Sequence, residues 1–276
     1  AFSDMDALGV GPIALDVSRQ FDLYWNSEHA YPISSFDWDS PITDAQVNAL
    51  REISDTRLEA ARASRYADIL REVSLAKVEK ISDIDYVWSD WDLVYDQPSA
   101  ITTDEVSKKT HLAPWIQESM NDTREDLVIV SPYFVPGEKF TGQLVALVER
   151  GVRVRILTNS LQANDVSLVH AGYMRYRKDL IRGGVELYEF RSTSNKIRRR
   201  LKRDRIDAAK TSLHAKFFGY DEHYLFIGSF NLDGRSAKLN TELGTYFASP
   251  EQARYLSTMF DETILNFAYR VQLDDR

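Results

Sequence analysis

Apolar residues along the second half of this chain fall into two kinds of run. Leu127–Val130, Val152–Leu157 and Val185–Phe190 are short and almost wholly apolar, the pattern of buried strands. Glu138–Glu149 and Asp165–Arg182 instead space their apolar residues at helical intervals, and Arg150-Gly151 and Gly183-Gly184 close them. Strand, helix, strand, helix, strand predicts an α/β sandwich. A last helix is expected from Pro250 to about Ala268.

The first half reads less regularly. Val17 to Trp25 predicts a helix, and Thr43-x-x-Gln46 spells a capping box. Behind it, Val47, Leu50, Leu58, Ala61, Ile69, Leu70 and Val73 give one or two further helices. Tyr86 to Tyr95 is aromatic and β-branched and predicts a strand, which Gln97-Pro98-Ser99 breaks. The expected division is a first lobe over 1–110 and a second over 111–276.

Two more strand signals, LHAKFFGY and YLFIGSFN, carry the candidate chemistry. Side chains two apart on a strand share a face, so His214 and Lys216 project together, as do Ser229 and Asn231. Gly228 permits a close approach of backbone or ligand. Lys216 supplies positive charge, and Ser229 and Asn231 supply neutral donors for phosphoryl oxygens. His214 can serve as nucleophile or as acid/base. The spacing His-x-Lys-x4-Asp-x6-Gly-Ser-x-Asn takes in His214, Lys216, Asp221, Gly228, Ser229 and Asn231. Its chance occurrence over a chain of this length is about 10⁻⁶.

That stretch resembles the HKD motif of the phospholipase D superfamily. SPYFVPG at 131–137, the run at 159–190 and DGRSAKLNTELG at 233–244 are similar to its bacterial cardiolipin synthases. FDLYWNS at 21–27 and WDLVYDQP at 91–98 are similar to the cardiolipin synthase C branch. The resemblance implies a phospholipase D-like α-β-α sandwich, its second lobe nearly complete and preceded by the tail of the first. It implies phosphatidyl transfer through a phosphohistidine, with His214 as general acid/base and Glu242 orienting the imidazole. Lys216, Asn231 and Ser229 would cradle the phosphoryl oxygens, and Asp221 would fix the turn after the strand. Arg235 reaches a phosphate or pairs with Asp233 or Glu242. No cofactor and no metal is implied. The implied substrates are phosphatidylglycerol and, as donor, phosphatidylglycerol or phosphatidylethanolamine. The implied location is the bacterial inner-membrane surface, with no nucleic-acid partner.

The family carries two such motifs, and this chain shows one. His29, His111, His170 and His223 each lack a lysine two residues on. The expectation is a fragment that begins just after a first motif. His170 is read as a packing residue, and His29 and His111 as loop residues.

Composition narrows the field. Absence of cysteine removes disulfides and thiolate zinc sites. No apolar run is long enough to span a bilayer. Residues 1–110 hold 10 basic and 21 acidic side chains and residues 111–276 hold 24 and 21, so the motif lies in the half that repels anions less. Much of that basicity is concentrated in NKIRRRLKRDR: Lys196, Arg198, Arg199, Arg200, Lys202, Arg203 and Arg205. The run reads either as a solvated loop or as a docking surface for anionic phospholipid. Three alternatives stand beside the transferase: a phospholipase D using water, a phosphodiesterase acting on nucleic acid as a homodimer, and a silent lipid-binding module.

Overall fold

The computed structural model describes residues 2–36, 42–64, 67–68, 84–103, 105–192 and 212–274. The chain forms two compact units, residues 30–88 and residues 1–29 with 89–276. This cut differs from the lobe boundary expected near residue 110.

In the larger unit the described strands are β1 (Phe2–Ser3), β2 (Trp91–Tyr95), β3 (Asp126–Val130), β4 (Arg153–Asn159), β5 (Glu186–Phe190), β6 (Ser212–Leu213), β7 (Phe217–Tyr220), β8 (Tyr224–Gly228), β9 (Leu243–Ala248) and β10 (Ala268–Arg270). Eight of them make one sheet, ordered β10-β5-β4-β3-β7-β8-β9-β2. β3, β4 and β5 run parallel, and the remaining pairings are antiparallel. β2, assigned by sequence to the first lobe, is the edge strand beside β9. β1 pairs in parallel with β6, Ser3 opposite Leu213.

β3 is buried on both faces because every residue after Asp126 is aliphatic. Leu127 and Ile129 enter one hydrophobic cluster, Val128 and Val130 another. The first cluster is covered by α3 (Ala113–Asp122), α4 (Gly137–Glu149) and α5 (Ser167–Arg182) through Ile116, Met120, Leu144, Leu147, Tyr173 and Leu180. The second is covered by α6 (Pro250–Glu262) through Ala253, Leu256 and Phe260. Helices on both faces of one mixed sheet make the phospholipase D-like α-β-α sandwich. Each fully buried Leu, Ile or Phe contributes about 1.5–3 kcal/mol.

The strand directions gather the loops. β3, β4 and β5 end, and β7 and β9 begin, at one edge of the sheet: Val130 lies opposite Phe217, Phe217 opposite Ile227, and Gly228 opposite Gly244. β2 also ends there, with Tyr95 opposite Leu243.

Two expectations need correction. The strand read through LHAKFFGY is broken: residues 214–216 leave the ladder between β6 and β7. The last helix stops at Glu262, a short 3-10 turn follows at Ile264–Asn266, and Ala268–Arg270 becomes β10 by pairing with β5. His111 lies in a loop as read, and is buried there with Nδ1 2.8 Å from the Thr110 hydroxyl.

α1 (Pro12–Trp25) belongs to the larger unit and extends the predicted helix by five residues. In the smaller unit α2 (Asp44–Arg62) starts at the predicted capping box: the Gln46 N–H donates to Thr43 Oγ1 at 3.3 Å and the Thr43 N–H to Gln46 Oε1 at 2.9 Å. No residue of α2 is buried. Ile69, Leu70 and Val73 lie outside the described residues.

Candidate functional site

His214 and Lys216 sit where the chain crosses from β6 to β7 at the gathering edge of the sheet. The His214 side chain is 54% exposed, and its Nδ1 lies 2.6 Å from Asp4 Oδ2. Asp4 arrives because β1 pairs residue for residue with β6, which leaves Asp4 level with His214.

Lys216 is 8% exposed, and its ammonium donates to the His214 carbonyl at 2.5 Å. Burial lowers its pKa, and the charges of Asp4, Glu242 and Asp165 oppose that shift. Carboxylates from three separate segments thus act on one ammonium. The Lys216 carbonyl accepts the Gly228 N–H at 3.2 Å, tying the two motif segments together. Only glycine fits at 228: a Cβ there would lie 2.5 Å from the Leu243 carbonyl oxygen. The close approach foreseen at Gly228 is therefore one of backbone to backbone.

Ser229 and Asn231 follow the end of β8. Ser229 Oγ donates to Glu242 Oε2 and accepts the Leu243 N–H at 3.1 Å. Asn231 is buried, and its Oδ1 has no partner among the described residues. Asn240 Nδ2 donates to Glu242 Oε1 at 3.0 Å. Both oxygens of Glu242 are thus held by neighbours on its own connection, and the carboxylate at His214 Nδ1 is that of Asp4. The pairing of β1 with β6 is what brings Asp4 to the imidazole.

Glu242 is placed through its backbone by Asp96. The Asp96 carboxylate accepts the Glu242 N–H at 2.7 Å and the Leu112 N–H at 2.6 Å, while the Asp96 N–H donates to the Glu242 carbonyl at 2.9 Å. Tyr24 Oη donates to the Asp96 carbonyl at 2.7 Å. Burial raises the Asp96 pKa, and its two backbone N–H partners pull it back.

Across the opening, Tyr133 Oη donates to Asp165 Oδ1 at 2.7 Å. Desolvation, with Asp165 adding to it, pushes the Tyr133 hydroxyl up to about 12. Arg235 is exposed; its Nε donates to Asn240 Oδ1 at 2.9 Å and its backbone N–H to Asp233 Oδ1 at 2.7 Å. A pocket of about 410 Å³ opens beside the site, lined by Ile101, Ser229, Leu239, Asn240, Thr241 and Glu242.

Asp221 is at the other end of β7. Its carboxylate accepts the N–H groups of Arg124, Glu125 and Asp126 at 2.7–3.1 Å, and its φ is 50°. It locks the β7–β8 turn onto the start of β3, at the opposite end of β7 from Lys216. His170 is buried against Tyr173, with ring centroids 5.4 Å apart, as its packing reading expects. The basic run Lys196, Arg198, Arg199, Arg200, Lys202, Arg203 and Arg205 lies outside the described residues. Among the described residues no cluster of His, Asp or Glu has the arrangement of a metal site.

Residue motifs alone missed Asp4, Asp96, Tyr133 and Asp165. Asp96, Tyr133 and Asp165 lie inside the family-like segments 91–98, 131–137 and 159–190, but a motif does not give the strand pairing and separate loops that bring them to the site.

The family model described as "Cardiolipin synthase, PLD-like domain" matches residues 116–264. Cardiolipin synthase C of Escherichia coli (strain K12) is 35% identical over 99% of this chain and 57% of that protein. An uncharacterized protein of Helicobacter pylori (strain ATCC 700392 / 26695) is 27% identical over 92% of this chain and 49% of that protein. Among solved structures, the phospholipase D family member Nuc from Salmonella typhimurium superposes with a TM-score of 0.46 at 16% identity, covering 67% of this chain and 100% of that one. The chain spans about half the length of the curated relatives it matches.

Proposed function

The chain belongs to the PLD-like domain family of cardiolipin synthases, and on that premise we propose that it supplies one half of a phosphatidyl-transfer centre, with His214 as the proton-handling histidine. The observation that carries this reading is the Asp4–His214–Lys216 arrangement: an imidazole fixed at Nδ1 by a carboxylate, beside a buried ammonium. An imidazole held in that way presents its Nε2 to a reacting group.

The chemistry runs in two displacements. A companion histidine attacks the phosphorus of a donor phospholipid. As the P–N bond forms, the P–O bond to the departing headgroup alcohol breaks, and His214 Nε2–H gives that oxygen its proton. His214 then takes the hydroxyl proton of the acceptor, phosphatidylglycerol. The acceptor oxygen attacks phosphorus, the P–N bond breaks, and cardiolipin leaves with the companion histidine restored. Lys216 and Asn231 offset charge on the phosphoryl oxygens, and Ser229 acts by holding Glu242. None of the other four histidines of this chain has a lysine two residues on, so the reading takes the companion from a second motif, on the same polypeptide or another copy. Phosphatidylethanolamine is the proposed donor, and the face of a bacterial inner membrane the proposed workplace. No helix of the described residues is long and apolar enough to cross a membrane.

The test is product analysis with labelled phosphatidylethanolamine and phosphatidylglycerol, for the wild type and for His214→Ala. Cardiolipin from the wild type, none from a folded variant, and no phosphatidic acid when the acceptor is present support transfer. Phosphatidic acid in the presence of acceptor supports hydrolysis instead, and undiminished cardiolipin from His214→Ala removes the assignment.

A further inference from the structure

β6 is only two residues long, Ser212–Leu213, and among the described residues its one main-chain ladder is with β1. Its other fixture is a side chain. The Leu213 N–H donates to Asn159 Oδ1 at 3.0 Å, and Asn159 Nδ2 donates to the Leu213 carbonyl at 3.0 Å. Asn159 is the last residue of β4 and is 1% exposed. Its Nδ2 also donates to the Pro132 carbonyl at 3.4 Å, which takes the Thr158 hydroxyl at 3.3 Å.

A carboxamide carries an acceptor and a donor side by side, the same pair that a strand residue presents along its edge. Asn159 therefore does for Leu213 what a neighbouring strand would do. An aspartate in its place would set a second acceptor against the Leu213 carbonyl, and a leucine would offer neither group. The flipped amide would put donor against donor and acceptor against acceptor, so the two bonds fix one orientation. Buried backbone groups need such partners, because an N–H or C=O left without one costs free energy.

Leu213 immediately precedes His214, and residues 214–216 make no ladder of their own. The Asn159 clamp is thus the last fixed point ahead of the imidazole. β6 also carries β1, whose register brings Asp4 to His214 Nδ1. The histidine and its carboxylate share one anchor, and that anchor is an amide on β4.

We propose that Asn159 is a positioning residue: its two bonds to Leu213 set where His214 and Asp4 stand relative to the core of the sheet. Its bearing on turnover rests on the phosphatidyl reading of His214 above, and its bearing on the imidazole does not.

Asn159→Ala removes both bonds. Asn159→Asp replaces the donor by a second acceptor until the carboxyl is protonated. Burial raises the pKa of such a carboxyl, so lowering the pH restores an O–H for the Leu213 carbonyl. With labelled phosphatidylethanolamine and phosphatidylglycerol near neutral pH, both variants are expected to lose about 10²-fold in kcat, with KM within about twofold of wild type. As pH falls, the ratio of Asn159→Asp to wild-type turnover rises, while that of Asn159→Ala stays flat. A second readout needs no substrate. In ¹⁵N spectra of the five histidines, His214 is assigned by its loss in His214→Ala. Its neutral ring is expected as the Nδ1–H tautomer in the wild type, shifting toward Nε2–H in Asn159→Ala.

Folded variants with wild-type kcat and tautomer overturn the proposal, as does an Asn159→Asp no better than Asn159→Ala at any pH. A thermal melt accompanies each variant. If Asn159→Ala alone fails to fold, the pH dependence of Asn159→Asp decides. If neither folds at any pH, Asn159 holds the fold rather than the imidazole, and the positioning role is overturned as well. Failure of the phosphatidyl reading looks different: the wild type turns over neither lipid, and the tautomer of His214 alone decides the clamp.

Discussion

Asp4 Oδ2 meets His214 Nδ1 at 2.6 Å across 210 positions of sequence. The contact exists because β1 aligns with β6 in register, Ser3 beside Leu213. Asp4→Asn preserves shape and removes the charge that holds the imidazole. Turnover is expected to fall about 10²- to 10⁴-fold with an unchanged unfolding midpoint. Steady-state kinetics beside a thermal melt checks this, and full activity in a folded variant would show that the carboxylate does not orient His214.

Lys216 is expected to set the alkaline limit of activity. Burial depresses its pKa, so an ammonium needed for binding the phosphoryl group is lost at lower pH than an ordinary lysine would be. Activity is present below that depressed pKa and declines as pH rises through it. Glu242 is one of the charges that raise the value. Glu242→Gln is therefore expected to move the alkaline limb of the pH–rate profile to still lower pH. A limb that moves up, or stays in place, contradicts the geometry.

Asp221 acts on stability. Asp221→Ala leaves three backbone N–H groups without their acceptor and is expected to cost about 1–3 kcal/mol, read as a lower denaturant midpoint. Turnover per folded molecule should stay near that of the wild type, since the carboxylate lies at the far end of β7. A large loss of turnover at unchanged stability would return Asp221 to the site.

Arg155 is fully buried, its guanidinium donating to both oxygens of Asp126 and to Ser257. Burial raises the pKa of Asp126, and Arg155 opposes the rise. Arg155→Met strands that carboxylate and is expected to cost about 3–5 kcal/mol. Adding Asp126→Leu should recover much of the loss, because the pair together is worth far less than either charge left alone. Equilibrium unfolding of the single and double variants makes the comparison.

Local order was legible wherever the cause was local. The apolar run Leu127–Val130 is β3, the helix over 138–149 is α4 within a residue, and the Thr43–Gln46 box caps α2 as written. Each depends on residues a few positions apart. The breaks in that legibility have one physical origin. Residues 214–216 look like strand but leave the ladder between β6 and β7, and the helix read through to about Ala268 stops at Glu262, with Ala268 opening the strand that pairs with β5. Partners distant in sequence decide both.

The same division runs through the site. The amino-acid order by itself determined the family, the sandwich and the presence of His214, Lys216, Ser229, Asn231 and Glu242 near one another, because all five lie within one 29-residue stretch flanking adjacent strands. Only the tertiary structure decided that Asp4 lies at the imidazole and that Asp96 pins Glu242. Periodicity records which face of a strand a side chain occupies. Strand order and register record what waits across from it, and those are settled by burial of the whole sheet.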